Sequence, residues 1–132
     1  MDSPFMTTVA EGLADRDLRV VRFEFTYMRT LRTRGTRTAP DREPILLDRW
    51  REVIDSMGGG QNLVIGGKSL GGRIASMVAD EAQVRGLVCL GYPFHPPGRA
   101  AGARLKHLKS LRTPALIVQG TRDSFGTRGE VE

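Results

Sequence analysis

Ser69 stands inside Gly67-Lys68-Ser69-Leu70-Gly71, a G-x-S-x-G arrangement. The apolar run Leu63-Val64-Ile65 leads into it, and Leu70-Gly71-Gly72-Arg73-Ile74-Ala75-Ser76 follows as a helix start. Strand, sharp turn and helix are the context in which this motif exposes a serine for nucleophilic attack. The reason is steric: a serine at the tip has a strained backbone, and the residues two positions away must be small so that strand and helix can approach. Ser69 Oγ is then pushed out over the sheet. The Leu70 N–H, at the helix N-terminus, is left to donate to an oxyanion. A glycine-rich turn that merely packs tightly is the plainer reading of the same residues. The segment Gly67-Lys68-Ser69 also imitates a phosphate-binding G-K-S, but that motif needs a glycine five positions earlier, where Asn62 stands. The intervening residues form the strand, so nucleotide binding is rejected.

Asp123 follows the apolar run Ala115-Leu116-Ile117-Val118 in the loop Gly120-Thr121-Arg122-Asp123-Ser124-Phe125-Gly126. A carboxylate there suits the task of orienting an imidazole and stabilising its cation during acyl transfer. The structural alternative is a loop aspartate making an Asx-turn. The base is harder to place. The chain order Ser, acid, His is expected of this architecture, yet the two histidines, His95 and His107, both precede Asp123. His107 lies in Lys106-His107-Leu108-Lys109 and reads as a surface residue. His95 lies in Tyr92-Pro93-Phe94-His95-Pro96-Pro97-Gly98. With Lys68 and Tyr92 it is a candidate pocket residue rather than a base. One cysteine, two histidines and no ligand spacing offer no metal site, and no cofactor is implied.

These groups need a frame. Asp2–Ala14 reads as a helix, capped by Asp2 or Ser3 with Pro4 in its first turn. Leu18–Phe25 is β-branched and aromatic enough for a strand. Tyr27–Glu43, broken by Gly35 and Pro40 and rich in arginine, reads as a loop. Pro44–Met57 carries a broad apolar stripe of Ile45, Leu46, Trp50, Val53, Ile54 and Met57, and Gly58-Gly59-Gly60 ends it. The strand Leu63–Ile65 and a helix from Leu70 to about Gln83 follow. Gly86–Gly91 is an unbroken apolar strand. Tyr92–Gly102 is a loop, Leu105–Leu111 a short helix, and Ala115–Val118 the last strand. Strands alternating with helices predict an α/β fold, a parallel sheet of about four strands with helices on both faces. Ser69, the Tyr92 loop and Asp123 all follow strand ends, where function gathers in such sheets.

The chain has 132 residues, enough for one domain with a modest core. Its net charge is +5, and all but three of its twenty basic residues are arginine. Much of the excess lies in the Arg29–Arg42 stretch, which lacks base-stacking aromatics beyond Tyr27 and reads as solvated rather than as a nucleic-acid surface. No run approaches a membrane span, and no export signal is visible. The lone Cys89 sits in the apolar run Leu87-Val88-Cys89-Leu90 as a small buried residue. A cytoplasmic location is the expectation.

Three motifs, Gly67–Arg73, Leu90–Gly98 and Gly120–Asp123, occur in the order found in the alpha/beta-hydrolase superfamily, and the chain resembles it over nearly its whole length. More narrowly it looks like the small dienelactone-hydrolase-like branch of predicted hydrolases, which includes testis-expressed and chromatin-complex relatives. Met1–Met6 is similar to the start of that family's first helix after the oxyanion loop. The resemblance implies Ser69 as nucleophile, Asp123 as acid and Leu70 as one oxyanion donor, acting on a small acyl substrate such as an ester. It also implies a preceding strand and glycine-rich oxyanion loop, and a later triad histidine, that residues 1–132 do not contain. The 132 residues thus read as one incomplete hydrolase domain, inactive or very weak as it stands. With a strand missing between them, residues 18–25 are not expected to pair regularly with residues 63–65. The competing expectation is a non-catalytic hydrolase-like scaffold that binds a protein partner.

Overall fold

Three short apolar runs pair in parallel to form the sheet of the computed structural model: β1 (Val64–Lys68), β2 (Gly86–Leu90) and β3 (Ala115–Val118), in that spatial order. The register sets Ile65 beside Leu87 and Gly67 beside Cys89, with Cys89 in turn beside Ile117. The structure describes residues 3–36, 38–96 and 105–131. Asp2, Arg37 and the 97–102 part of the loop expected after β2 lie outside these. The chain divides into two compact units, Met1–Ile45 and Leu46–Glu132.

The second unit holds the sheet, most of α3 (Glu43–Ser56) and α4 (Leu70–Val78). Residues alternate across a strand, so Ile65, Leu87 and Cys89 share one face. All three are buried, together with Ile74, Ala75, Val78, Ala79 and Val84 in and beyond α4. Leu46, Trp50 and Ile54, at helical spacing along α3, are also buried. Helix α3 ends at glycines with positive φ, Gly58 (87°) and Gly59 (97°), and the Gly59 N–H returns to Ile54 O at 3.1 Å. The turn after α4 is tied to the entry of β3 through Asp80. Its carboxylate accepts from the Thr113 N–H (2.8 Å), the Thr113 hydroxyl (2.7 Å) and the Arg112 N–H (3.0 Å). Those bonds, the Thr113 hydroxyl first, hold Asp80 below the usual carboxylate range. Arg51 of α3 forks onto Glu81 through Nε (2.9 Å) and Nη2 (3.0 Å).

The other face of the sheet differs from the expectation of cover on both sides. Val64, Leu116 and Val118 share that face, and they are 61%, 58% and 52% exposed. Helix α4 stops at Val78, short of the expected Gln83, because a turn follows in which Gln83 takes a positive φ of 52°. Within the segment expected as a helix over Leu105–Leu111, Leu108–Ser110 form a 3-10 turn rather than an α-helix.

The first unit contains α1 (Pro4–Ala14) and α2 (Thr26–Arg34). Ser3 caps α1 by accepting the Met6 N–H at 3.3 Å. Two expectations fail here. Residues 18–25 are not a strand, and the sheet formed by the described residues has three strands, not four. A β-rich run becomes a strand only if a ladder takes up its backbone groups. Residues 18–25 enter no ladder among the described residues. Phe25 instead leads into α2, its ring edge-on to Phe23 (5.7 Å) and stacked on Tyr27 (6.2 Å). The Tyr27–Glu43 stretch is likewise not all loop. Thr26–Arg34 contains no glycine or proline, and Gly35 closes the helix with φ 66°. Thr30 and Thr33 hydroxyls return to Thr26 O and Arg29 O, and Arg32 pairs with Glu24 at 3.1 Å. A dense row of arginines hid a run of ordinary helix formers.

Candidate active site

Ser69 occupies the tip between β1, which ends at Lys68, and α4, which starts at Leu70. Its backbone has φ 50° and ψ −118°. A positive φ in a residue with a Cβ is costly, about 1–3 kcal/mol, and persists only where surrounding bonds hold it. Two such bonds are present: the Ser69 N–H donates to Leu90 O at 3.0 Å, extending the β1–β2 ladder, and Ser69 O accepts from the Arg73 N–H at 3.0 Å, opening the helix. The side chain makes no capping bond and is exposed. Leu70 follows in the first turn of α4, where N–H groups have no carbonyl four residues earlier to meet.

The glycines contribute unequally. A Cβ on Gly67 would lie 2.8 Å from Gly71 C and 2.9 Å from Gly72 N. A Cβ on Gly72 would lie 2.6 Å from Gly67 O and 3.3 Å from Cys89 Sγ. Gly71, the second glycine of the motif, has open space around it. The close approach of strand to helix therefore depends on Gly67 and Gly72, one residue beyond the position expected from the motif. Cys89 lies beneath this contact, its thiol directed at Gly72 O (3.5 Å), and burial pushes its pKa up to about 11.

Asp123 lies beside the carboxyl end of β2. Gly91, with φ 68°, ends that strand, and a Cβ there would lie 3.3 Å from Asp123 Oδ2. Ser69 is bonded to Leu90, the residue before, so the nucleophile candidate and the acid candidate border consecutive residues of one strand end. Asp123 Oδ1 accepts the Phe125 N–H at 2.9 Å, which is the Asx-turn, and Oδ2 accepts from Gln119 Nε2 at 3.0 Å. The turn and the placement at the strand end thus coexist. Beside the acid loop lies an open hollow of about 180 Å³, lined by Ile117, Gln119, Gly120, Thr121, Arg128 and Val131.

The candidate pocket residues are placed differently from one another, and none of them lines that hollow. Lys68 is exposed at the end of β1. Tyr92 is 0% exposed, packed on Phe94 with ring centroids 4.9 Å apart, and belongs to the core rather than to an open wall. His95 is engaged at both ring nitrogens, Nδ1 with Pro96 O (3.0 Å) and Nε2 with Glu130 Oε2 (3.6 Å). Glu130 sits near the start of α5 (Arg128–Val131), where it also accepts the Thr127 N–H at 2.8 Å. That backbone bond leads the effects that lower its pKa.

His107 is not the surface residue its charged neighbours implied. Its Nε2 lies 2.8 Å from Ser76 Oγ and 3.4 Å from the Tyr92 hydroxyl. Ser76 is buried in α4 and gives its own proton to Arg73 O at 2.6 Å, so its oxygen is left to accept from His107 Nε2–H. The imidazole pins its segment to the core. Two residues between lysines point outward on average, but nothing in the local sequence shows a buried hydroxyl waiting two helical turns beyond Ser69. Gln119 is likewise not marked by local pattern as a site residue. Its only signal was an amide directly after an apolar strand and directly before the acid loop.

A family model described as an alpha/beta hydrolase domain matches residues 1–132. The chain belongs to that family, and its hydrolase-like fold follows. No solved structure matches the chain. No helix among the described residues is long and apolar enough to cross a membrane.

Proposed function

We propose that residues 1–132 carry the nucleophile and the acid of a serine hydrolase acting on an ester or related small acyl substrate, and that the family branch is the dienelactone-hydrolase-like one its three motifs resemble. The observation that carries the reading is the exposed Ser69, held at φ 50° between strand and helix, with Asp123 at the same strand end. In the reaction Ser69 Oγ bonds to the acyl carbon, its proton passes to an imidazole, and the alcohol departs with that proton. Leu70 N–H donates to the oxyanion. Asp123 orients the imidazole. Both histidines of the chain are engaged elsewhere, His95 with Pro96 and Glu130 and His107 with Ser76. The imidazole is therefore supplied from outside residues 1–132.

A fluorophosphonate probe tests this directly. Labelling of the 132-residue chain is expected to be slow, to rise with added free imidazole, and to vanish in Ser69→Ala while surviving in His95→Ala. The engaged histidines also support the second reading, a non-catalytic scaffold for a protein partner. Labelling that stays absent at any imidazole concentration in a folded chain decides for the scaffold.

A further inference from the structure

We propose that Gln119 is the positioning residue for the acid, a single amide that fixes the Asp123 carboxylate against the loop leaving β2. The inference rests on the reading of Asp123 as the acid. Gln119 is the first residue after β3. Its Oε1 accepts the Tyr92 N–H at 2.8 Å. Its Nε2 lies 3.0 Å from Asp123 Oδ2, 3.3 Å from Tyr92 O and 3.5 Å from Gly126 O. One amide thus ties three places together: the loop after β2, the acid, and the approach to α5.

Which end is oxygen and which nitrogen follows from its neighbours. An N–H needs an acceptor, and a carboxylate accepts only, so the carbonyl must face Tyr92 N–H and the NH2 must face Asp123. The amide is packed where it stands. A Cβ on Gly126 would come within 2.7 Å of Gln119 Nε2 and 2.5 Å of Phe94 Cδ2, so the glycine leaves the space that the amide and ring fill. Asp123 Oδ1 is held by the Phe125 N–H within its own turn. That bond alone allows the turn to tilt as a unit. The Gln119 bond attaches the second oxygen to the end of β3 and, through Gln119 Oε1, to the buried Tyr92 after β2, and the carboxylate plane becomes fixed relative to Gly91 and Leu90, the residues that border Ser69. An acid orients an imidazole only as well as it is itself oriented, and small misplacements in such constellations cost ten- to a hundredfold in rate.

The substitution that separates positioning from folding is Gln119→Glu. The new carboxylate still accepts the Tyr92 N–H, so the main packing bond survives. Its donor to Asp123, shared at longer distances with Tyr92 O and Gly126 O, is gone, replaced by a like charge. Two carboxylates at that distance do not both ionise easily, and one of them takes a proton as pH falls. The shared proton then restores a hydrogen bond between them. The expected result, in the imidazole-assisted fluorophosphonate assay, is a Gln119→Glu rate about tenfold or more below wild type at pH 8–9. The variant-to-wild-type ratio should climb as pH is lowered towards 5. Gln119→Leu, which removes both functions, should show no such recovery. A Gln119→Glu rate equal to wild type at high pH, in a chain where Asp123→Ala is slow, overturns the proposal and leaves the acid standing. An Asp123→Ala rate equal to wild type overturns both.

Should wild type resist labelling, the nucleophile reading fails and the side-chain amide resonances of Gln119 decide. They are expected to shift in Asp123→Ala, and resonances that do not move overturn the clamp.

Discussion

The two units of the chain contain similar proportions of apolar residues and treat them differently. In Leu46–Glu132 the elements α3, α4, β1 and β2 all contain buried residues, and Ile74, Leu87, Cys89 and Tyr92 are essentially inaccessible. In Met1–Ile45, α1 and α2 contain no buried residue, and Phe5, Leu13, Leu18, Val21 and Leu31 are exposed. The second unit is held by contacts between residues far apart in sequence. The bonds of the first unit are mainly local: a Ser3 cap, threonine hydroxyls returned to the preceding turn, a glycine stop, and the Arg32–Glu24 pair. The difference shows what a β-rich run needs. Residues 86–90 and 115–118 found partners and became strands. Residues 18–25 have the composition without the ladder.

The contrast is open to three measurements. The largest effect is expected from Leu87→Ala, which empties a site in the buried face and should lower unfolding stability by about 3 kcal/mol in urea titrations. Val21→Ala, equally apolar but in the first unit and exposed, should change it by less than about 0.5 kcal/mol. Comparable losses from the two would erase the distinction. Next comes Asp80→Ala, which strands two backbone donors and the Thr113 hydroxyl at the entry to β3. It should cost about 1–2 kcal/mol, a modest figure because water reaches part of the site. Its pH dependence has a definite sign. The folded-state pKa lies below the ordinary value of 3.8, so the contribution is full above that value and is lost as pH falls through the lower folded value. The stability gap between wild type and Asp80→Ala should therefore narrow in acid, and a gap that widens there would contradict the hydrogen-bond assignment. The last and smallest expected loss is that of Ser3→Ala, measured within α1 itself. Loss of the Met6 N–H acceptor should weaken α1 by about 0.5 kcal/mol, visible as reduced helical shifts at residues 4–8 by NMR.

Much of the second unit could be read from local pattern. Ala115–Val118 matches β3 end to end, Gly86–Gly91 overruns β2 by one residue, and Pro44–Met57 differs from α3 by one residue at each end. Apolar runs bounded by glycine and proline leave little choice where a sheet is available. Ser69 was legible for the same reason, since strand, turn and helix signals are contiguous. The arginine-rich helix α2 was not. Charge density looks like a loop, while backbone preference is set by the absence of glycine and proline.

Residue types and spacing along the chain thus determined the parallel α/β unit, the turn at Ser69 and the candidacy of Asp123, because each depends on neighbours within a few positions. Tertiary structure decided which groups meet. It set Gly72 rather than Gly71 against Gly67, since the approach distance depends on how α4 lies across β1. It set the half-buried His107 against the buried Ser76, whose oxygen takes a donor there. It also brought Gln119 onto Asp123 and Tyr92, because two strand ends 27 residues apart in sequence become neighbours only when β2 and β3 pair.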